Sequence, residues 1–253
     1  MLRAAAFTLL FALTNASLAL LFPFDLSRFL LCFVLYSTGT IFILYMLFHP
    51  RNQWLVANRS QVSCAGGRCV ALTFDDGPTP HRTPRLLEIL REKKVNATFF
   101  VVGKSAERQA ELVRRLHAEG HLIANHTYSH PSLFCFLTPR RLREEIGRGQ
   151  EVIRSICGVR PRYFRSPVGL RHPLLNFCLQ QAGLEYISWR VRAFDTLMQK
   201  PEVLRNRILD RVAPGDIVLL HDNSSAGVGI MLDVLPQVID ELKNRGFDFV
   251  LVG

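Results

Sequence analysis

The chain has 253 residues and a formal net charge of +10, and 49% of its residues are hydrophobic. This length fits one large domain, although two small domains also fall within its range. The positive charge favours anionic partners such as nucleic acid or anionic lipid, or it serves only solubility. An amino-terminal segment of membrane-like composition makes lipid the better match and argues against a nucleic-acid partner.

Residues 1–50 carry few charges and contain two apolar stretches, residues 4–22 and 29–48. Each stretch is close to the roughly 20 residues that a helix needs to cross a bilayer. Residues 23–28 form a short turn between them. We therefore predict a helical hairpin in which both helices span the membrane, so that residues 1–50 are an anchor. The alternative is a cleaved signal peptide followed by one anchor, but no clear small-x-small cleavage site precedes Pro23.

Arginines near both ends of this hairpin bear on its orientation. Arg3 lies at the amino-terminal end, and Arg51, Arg59 and Arg68 follow the second apolar stretch. A hairpin returns both of its ends to one side. The positive-inside rule then predicts an integral protein of a bacterial inner membrane whose following domain faces the cytoplasm.

Six cysteines are present, and only Cys32 lies in the predicted anchor. Cys64 and Cys69 flank an Ala-Gly-Gly-Arg turn that is flexible enough to let them pair. Because an odd number of cysteines remains outside the anchor, we expect free thiols there, as is usual in a reducing compartment.

Residues 51–68 are polar and are interpreted as a linker, after which short apolar runs alternate with segments of helical periodicity. The predicted strands are residues 70–74, 96–102, 121–125, 163–164, 185–189, 216–220 and 247–252. The predicted helices are residues 83–93, 105–119, 140–157, 172–182, 201–212 and 229–245. This alternation predicts one α/β domain over residues 69–253, in which a helix-covered parallel sheet forms a distorted, incomplete barrel of seven β/α units.

Polar residues follow the ends of five of these strands. They are Asp75, Asp76, His126, Arg165, Asp195 and His221, at the first, third, fourth, fifth and sixth strands. Because the carboxyl ends of the strands form the active face of α/β barrels, we expect these side chains to converge on one mouth.

Two of these groups have the chemistry of a metal site. Adjacent carboxylates at Asp75 and Asp76 repel each other when they are part-buried, unless a cation intervenes. Since neighbours on an extended chain point opposite ways, Asp76 can face a metal while Asp75 faces substrate. His126 and His130 are four residues apart and would share one face of a helical turn, a spacing used by paired imidazole ligands. The alternative for this pair is a solvated loop.

Two imidazoles and one carboxylate form an open three-ligand site with positions left for water and a substrate oxygen, as hydrolysis requires. Zinc suits this ligand set, and cobalt, nickel, iron or manganese are alternatives. His221 is either a buried structural histidine or a proton donor that faces the pocket.

The chain resembles the polysaccharide deacetylase family, also called the NodB-homology domain or carbohydrate esterase family four. The resemblance covers about residues 68–253 and rests on five motifs in the family's order. They are Thr73-Phe-Asp-Asp-Gly77, His126-Thr-Tyr-Ser-His130, Arg165-Ser-Pro-Val-Gly169, Trp189 with Asp195 six residues on, and Leu219-Leu-His221.

This resemblance implies roles for the residues of the first three motifs. Asp76, His126 and His130 resemble the family's metal ligands. Asp75 resembles the general base that activates a water molecule. Arg165 resembles the partner that orients Asp75 and keeps it ionised.

The remaining motif residues resemble the parts of the family's site that handle the acetyl group. His221 resembles the general acid, and Asp195 would stabilise its protonated form. The backbone N–H of Val168 would bind the oxyanion together with the metal. Trp189 and Leu219 would line the acetyl pocket.

The sequence departs from the family at two pocket positions. Thr196 stands where the family usually has tryptophan, and Val168 stands where an aromatic residue often precedes glycine. Both changes affect pocket walls rather than reacting groups. Thr196 removes a stacking surface, so the substrate need not be a long glucosamine polymer.

The resulting expectation is metal-dependent hydrolysis that releases acetate from an N-acetylhexosamine unit of a saccharide or glycolipid at the membrane. Alternatives are a deacylase of another N-acyl membrane lipid, or of peptidoglycan if the domain faces outward. Another is a non-catalytic membrane protein that retains the fold. The joint presence of Asp75, Arg165 and His221 argues against the last alternative.

Overall fold

The computed structural model describes residues 26–49, 51–197, 200–223 and 225–253. The first predicted apolar stretch, residues 4–22, lies outside these residues. The second forms helix α1, Leu26–Phe48, which is long and apolar enough to cross a membrane. Most of its side chains are exposed, and Phe33 is 60% exposed, so α1 is not a core helix of the domain. These features fit a membrane span or a signal sequence.

Strands and helices alternate along the rest of the described chain. The strands are β1 Asn58–Arg59, β2 Arg68–Asp75, β3 Thr98–Val101, β4 Leu122–Asn125, β5 Tyr163–Phe164, β6 Glu185–Ile187, β7 Val191–Arg192, β8 Asp216–His221 and β9 Phe247–Phe249. The helices are α2 Thr83–Glu92, α3 Gly103–Arg108, α4 Ala110–Ala118, α5 Pro139–Cys157, α6 Leu175–Ala182, α7 Pro201–Leu209 and α8 Ala226–Asn244. Short 3-10 turns lie at Phe134–Phe136 and Pro167–Gly169.

All of these strands belong to one parallel sheet, in the order β1-β6-β5-β4-β3-β2-β8-β7, with β9 beside β2. The residues between β6 and β7 bring the two ends of this order together. The Ser188 N–H donates to the Arg59 carbonyl, and the Arg190 N–H donates to the Ile217 carbonyl. The sheet therefore curls into an incomplete α/β barrel, which confirms the predicted fold class.

Both faces of the sheet are buried, which explains why its strands read as continuous apolar runs. Side chains alternate along β2, so Val70 and Leu72 pack under the helices while Ala71 packs inside the barrel. At the carboxyl end of β2, Asp75 is aligned with Phe100 on β3 and with His221 on β8. The last residues of these neighbouring strands therefore lie side by side at the same edge of the sheet.

Three local features differ from the sequence prediction. The predicted helix 105–119 is divided into α3 and α4, because Gln109 has φ −127° and ψ 42°, outside the helical region. Strands β1 and β7 were not predicted, because each has two residues of which one is an arginine and so lacks an apolar run. The predicted linker 51–68 contains β1, and its Val56 is 3% exposed within a cluster of the domain, so this segment is packed.

Cys64 and Cys69 form a disulfide with a Cα–Cα distance of 5.6 Å. Gly66 between them has φ 81°, a conformation that glycine adopts without steric cost. The pairing that the flexible turn allows is therefore present, and Cys135, Cys157 and Cys178 are free. Because disulfides persist in oxidising compartments, this bridge does not fit the reducing compartment that the sequence suggested.

Candidate active site

A cavity of about 260 Å³ opens at the carboxyl ends of the strands. Nine of the residues singled out in the sequence line it, namely Asp75, Asp76, His126, His130, Val168, Trp189, Thr196, Leu219 and His221. Arg165 and Asp195 are fully buried and contact residues of this lining from behind. Gly169, Arg192 and Asn223 complete the lining, and no sequence pattern marks Arg192 or Asn223.

Three candidate ligand atoms meet on one side of the cavity. Asp76 Oδ1 lies 3.4 Å from His126 Nε2 and 3.1 Å from His130 Nε2. Burial opposes the charge of Asp76, but hydrogen bonds from both histidines hold its pKa below its usual range. Among the described residues, this is the group of His, Cys, Asp or Glu side chains that could hold a metal ion. An ionised carboxylate with two imidazoles suits a divalent transition metal, so the donor set fits such a cation.

Two further contacts orient these ligand atoms. His126 Nδ1 lies 2.8 Å from the Arg165 carbonyl oxygen, so Nδ1–H can donate there and Nε2 keeps its lone pair for a cation. Asn223 Nδ2 donates to Asp76 Oδ2 at 2.8 Å, which leaves Oδ1 turned toward the histidines. Asn223 is thus a site residue that sequence reasoning missed, because only the fold brings it to Asp76.

The loop that carries the two histidines is not a helical turn, so that part of the prediction is wrong. Thr127 and His130 have φ values of 68° and 55°, in the left-handed region. Side chains hold this unusual path. Asn125 Oδ1 accepts from the Thr127 N–H at 2.9 Å, and Glu145 on α5 accepts from the Ser129 N–H and Oγ at 2.8 and 2.7 Å. The histidines therefore converge through loop geometry rather than through helical spacing.

Asp75 lies beside this group and is paired with a buried arginine. Arg165 Nη1 donates to Asp75 Oδ1 at 2.7 Å, while the Arg165 side chain is 0% exposed. Arg165 Nε and Nη2 donate to the carbonyls of Ile187 and Ser188 at 3.2 and 3.1 Å. A buried ion pair is tolerated when its remaining donors are satisfied in this way. The arrangement fixes the orientation of Asp75 and compensates its charge.

His221 and Asp195 form a second pair on another side of the cavity. His221 Nδ1 lies 2.8 Å from Asp195 Oδ1, and the His221 backbone N–H donates to Asp195 Oδ2 at 2.7 Å. Burial alone would lower the pKa of His221, but the hydrogen bond and charge of Asp195, aided by Asp75 and Asp76, raise it. The geometry therefore favours a protonated imidazole at this position.

An apolar wall separates these polar groups. Trp189 and Leu219 are 5% and 2% exposed, and both line the cavity. Gly169 has φ 75°, and a Cβ there would lie 2.5 Å from Trp189 Cη2. Glycine is required at this position so that the backbone can approach the indole. The preceding residue, Val168, is also left-handed, with φ 58°, and is 53% exposed at the mouth.

Asp222, which follows His221, is a second residue that sequence reasoning missed. Its backbone N–H donates to the Asp75 carbonyl at 2.7 Å. Its carboxyl group accepts from Thr83 Oγ1 at 2.5 Å and from Thr79 Oγ1 at 3.2 Å. Burial raises the pKa of Asp222 to about 7. These contacts hold the turn that follows β2 against β8 and α2.

Gly77 in this turn packs directly on Asp222. A Cβ at Gly77 would lie 2.4 Å from Asp222 Oδ2, so Gly77→Ala should lower the free energy of unfolding by about 1–3 kcal/mol. Gly147→Ala is the matched control, because nothing lies within 4 Å of a Cβ there. Since Gly147 lies within α5, its replacement should be neutral or stabilising by up to about 1 kcal/mol. Urea unfolding followed by circular dichroism measures both, and equal effects would contradict the crowding argument.

Comparisons with known proteins agree with this geometry. A family model for polysaccharide deacetylases matches residues 63–187. Chitooligosaccharide deacetylase from Bradyrhizobium sp. (strain ANU 289) is 39% identical over 201 residues, which are 75% of this chain and 91% of that protein. Peptidoglycan-N-acetylglucosamine deacetylase from Bacillus cereus is 35% identical over 188 residues, which are 72% of this chain and 66% of that protein.

The fold is also that of a solved relative. The crystal structure of a peptidoglycan N-acetylglucosamine deacetylase in complex with 4-naphthalen-1-yl-N-oxidanyl-benzamide superposes with a TM-score of 0.71 and 32% identity. The superposition covers 77% of this chain and 89% of the chain in that crystal structure. The barrel, the cavity and the candidate ligand group together have the geometry of a hydrolase active site. The chain belongs to the polysaccharide deacetylase family, carbohydrate esterase family four, and the relatives described above are named chitooligosaccharide and peptidoglycan N-acetylglucosamine deacetylases.

Proposed function

We propose that this protein removes the acetyl group from an N-acetylglucosamine unit of a saccharide or glycolipid at a membrane. The observation that carries the proposal is that the Asp75–Arg165 and His221–Asp195 pairs flank one cavity with the three candidate ligands. Chitooligosaccharide and peptidoglycan, the substrates named for the relatives, share the N-acetylglucosamine unit. The reaction adds water to the amide, breaks its C–N bond and releases acetate and an amine.

Asp76, His126 and His130 would hold a divalent cation in this site. Zinc is the first candidate for the ligand set, with cobalt, nickel, iron or manganese as alternatives. When bound, such a cation polarises the amide carbonyl and lowers the pKa of a water molecule.

Asp75 serves as the general base in the first half of the reaction. Its carboxylate takes a proton from the attacking water, and the 2.7 Å contact with Arg165 Nη1 orients it beforehand. The backbone N–H of Val168 donates to the oxygen on which negative charge develops. Trp189 and Leu219 enclose the acetyl methyl group and exclude bulk water from it.

His221 serves as the general acid in the second half. Its protonated imidazole gives a proton to the departing amine nitrogen as the C–N bond breaks. Asp195 accepts from Nδ1 at 2.8 Å and so favours the protonated form before the transfer. Nε2 is the remaining ring nitrogen and therefore the one that delivers the proton.

The Asp195–His221 pair predicts a specific change in pH dependence. Asp195 raises the pKa of His221, so activity should be lost only as pH rises through this raised value. Asp195→Asn removes the negative charge, which should lower the pKa of His221 and move the alkaline limb of the kcat profile to lower pH. The measurement is kcat against pH for both proteins. An unmoved alkaline limb would mean that His221 is not the acid.

Acetate release is the direct test of the proposed reaction. Purified protein supplied with zinc or cobalt should release acetate from chitooligosaccharides or peptidoglycan fragments, lose this activity with a chelator, and regain it with the metal. A preference for longer acyl groups over acetyl would favour a deacylase of another N-acyl lipid. Absence of acetate release from any N-acetylated glycan or glycolipid would favour a non-catalytic protein that retains the fold.

Contacts at the carboxyl end of α1 support a membrane location. The buried Arg171 guanidinium donates to the His49 carbonyl, and the Arg171 backbone N–H donates to the Leu47 carbonyl at 3.2 Å. Asn52 Nδ2 donates to the Tyr45 carbonyl at 3.4 Å. Leu47 lies in the last turn of α1, where carbonyls lack partners within the helix, and His49 directly follows α1, so the domain binds carbonyls at this end of the helix. The apolar helix therefore leaves the domain at a defined angle.

Exposed aromatic side chains surround this junction. Trp54 is 60% exposed and its ring lies 5.7 Å from that of Phe42 on α1. Phe177 lines a surface cavity together with Trp54 and is 46% exposed. Tryptophan and other aromatic side chains are enriched where a membrane meets water. This face of the domain lies in the headgroup region when α1 crosses the bilayer.

The disulfide favours the outer side of the membrane, in contrast to the placement that the arginine bias predicts. A Cys64–Cys69 bridge would not persist in a reducing cytoplasm. Alkaline phosphatase fused after Gly253 should therefore be active, and β-galactosidase at the same position inactive. The reverse pattern would place the domain in the cytoplasm. Release of the protein from membranes by a carbonate wash would show that α1 is not a span.

A further inference from the structure

Arg192 is a cationic side chain in the catalytic cavity to which the reaction assigns no role. It ends β7, where it is aligned with Leu219 on β8, and it is the one arginine or lysine in the described lining. Asp75 and Asp195 are already paired with Arg165 and His221. Arg192 therefore contributes a charge to the cavity that the catalytic pairs do not balance.

Within the described part of the chain, no carboxylate pairs with the Arg192 side chain. Its Nε is buried without a hydrogen-bond partner among the described residues. Its guanidinium lies 4.7 Å from the centroid of the Phe194 ring. An aromatic face stabilises a cation but accepts no strong hydrogen bond. The Phe194 ring therefore does not satisfy the N–H donors of the Arg192 guanidinium.

A second arginine adds to the positive charge on this side. Arg207 stacks on the same Phe194 ring at 4.3 Å and donates through Nε to the Arg192 carbonyl at 3.0 Å. Burial, together with the charges of Arg211 and Arg192, lowers the pKa of Arg207. The two neighbouring guanidinium groups repel each other. An anion bound next to Arg192 in the cavity would reduce this repulsion.

Another residue of the same cavity lining, Thr196, has a small side chain. Thr196 lines the cavity where the family usually has tryptophan. A threonine leaves room for a substituent on the sugar and gives no aromatic surface for stacking of a neutral sugar ring. The same cavity therefore offers both space, at Thr196, and a positive charge, at Arg192.

We infer that Arg192 binds an oxyanion carried by the acetylated sugar, either a phosphate ester or a carboxylate. The planar fork of a guanidinium matches both groups, and such charge-assisted hydrogen bonds are among the stronger ones. The inference rests on the proposed deacetylation and narrows its substrate to an anionic N-acetylated saccharide. A membrane-bound saccharide linked through phosphate has this chemistry.

The test compares three small substrates that share the N-acetyl group. They are N-acetylglucosamine 1-phosphate, N-acetylmuramic acid and the neutral methyl glycoside of N-acetylglucosamine. The native protein should show a kcat/KM at least about tenfold higher for one of the anions than for the neutral glycoside. The ratio of kcat/KM for each anion to kcat/KM for the neutral glycoside shows whether a phosphate or a carboxylate is preferred. Equal values for all three substrates would overturn the inference.

Arg192→Gln should reduce the ratio of anionic to neutral kcat/KM to within about threefold of unity, through an increase in KM for the anion. Arg192→Lys should keep part of the ratio, because the charge remains while the fork is lost. Arg190→Gln is the matched control: it is the same substitution two residues away, but Arg190 is exposed and absent from the described lining, so the ratio should persist. Equal loss of activity toward anionic and neutral substrates in Arg192→Gln would contradict a binding role.

Equilibrium binding separates this inference from the proposed reaction. Metal-free native protein should bind at least one of the two anions, N-acetylglucosamine 1-phosphate or N-acetylmuramic acid, at least about tenfold more tightly than Arg192→Gln does, as measured by calorimetry. This result holds even if no substrate is hydrolysed, in which case only the proposed reaction fails. Identical binding by the two proteins would overturn the anion site while leaving deacetylation intact.

Discussion

Asp75→Asn should lower kcat by about 10²–10⁴-fold while the protein keeps its bound metal. The amide of asparagine cannot take a proton from water, but it keeps the shape of the carboxylate beside Arg165. Asp75 is not one of the three candidate ligands, so the set of Asp76, His126 and His130 stays complete. Steady-state kinetics and metal analysis by mass spectrometry measure the two quantities on the same preparation.

Asp233→Asn is the control for this experiment, because Asp233 is exposed on α8 and undergoes the same chemical change. It should leave both kcat and metal content unchanged. An Asp75→Asn protein with native turnover would show that another group acts as the base. An Asp75→Asn protein that loses its metal would instead make Asp75 part of the ligand set.

His126→Ala should remove both metal and turnover. Loss of an outer partner of a metal ligand already costs about 10–100-fold in affinity, so loss of the ligand itself should weaken binding by more than about 100-fold. His126 also bonds to the Arg165 carbonyl through Nδ1, so its removal disturbs the support of the neighbouring base. Titration with zinc or cobalt followed by calorimetry measures the affinity, and acetate release measures the turnover.

His117→Ala is the control, because His117 is exposed on α4 and outside the cavity in the described part of the chain. It should bind metal as the native protein does. Circular dichroism should show that His126→Ala remains folded. This check is needed because His126 is 1% exposed, and loss of a buried side chain also disturbs packing. Native metal affinity in a folded His126→Ala protein would contradict the proposed ligand set.

The sequence was sufficient to locate most of the catalytic face. Apolar runs that end in a polar residue, as at Phe74-Asp75 and Leu220-His221, mark the carboxyl ends of buried strands. Parallel strands then bring those ends together, so the convergence of distant residues follows from the strand pattern alone. The resemblance to a family added the roles of residues such as Arg165, which composition and spacing could not supply.

The remaining features depend on contacts that no local pattern encodes. The spacing of His126 and His130 suggested a helical turn, but Asn125 and Glu145 hold a left-handed loop instead. Asn223 reaches Asp76 across 147 positions of sequence, and it looks like an ordinary turn residue until the fold is known. Strands β1 and β7 were missed because each has two residues of which one is an arginine, whereas the equally short β5 is an apolar Tyr-Phe pair.

The bonds between Arg171 and the end of α1 have a consequence for which sugar is modified. A domain on a loose tether would sample many heights above a bilayer, whereas hydrogen bonds to the Leu47 and His49 carbonyls restrict that freedom. With α1 in a bilayer, the cavity therefore stays at one distance from the lipid surface. An extended saccharide anchored in the same bilayer would present only the sugar at that height to Asp75. The fixed distance between the cavity and the bilayer would then select one position along the glycan, independently of the residues that line the pocket.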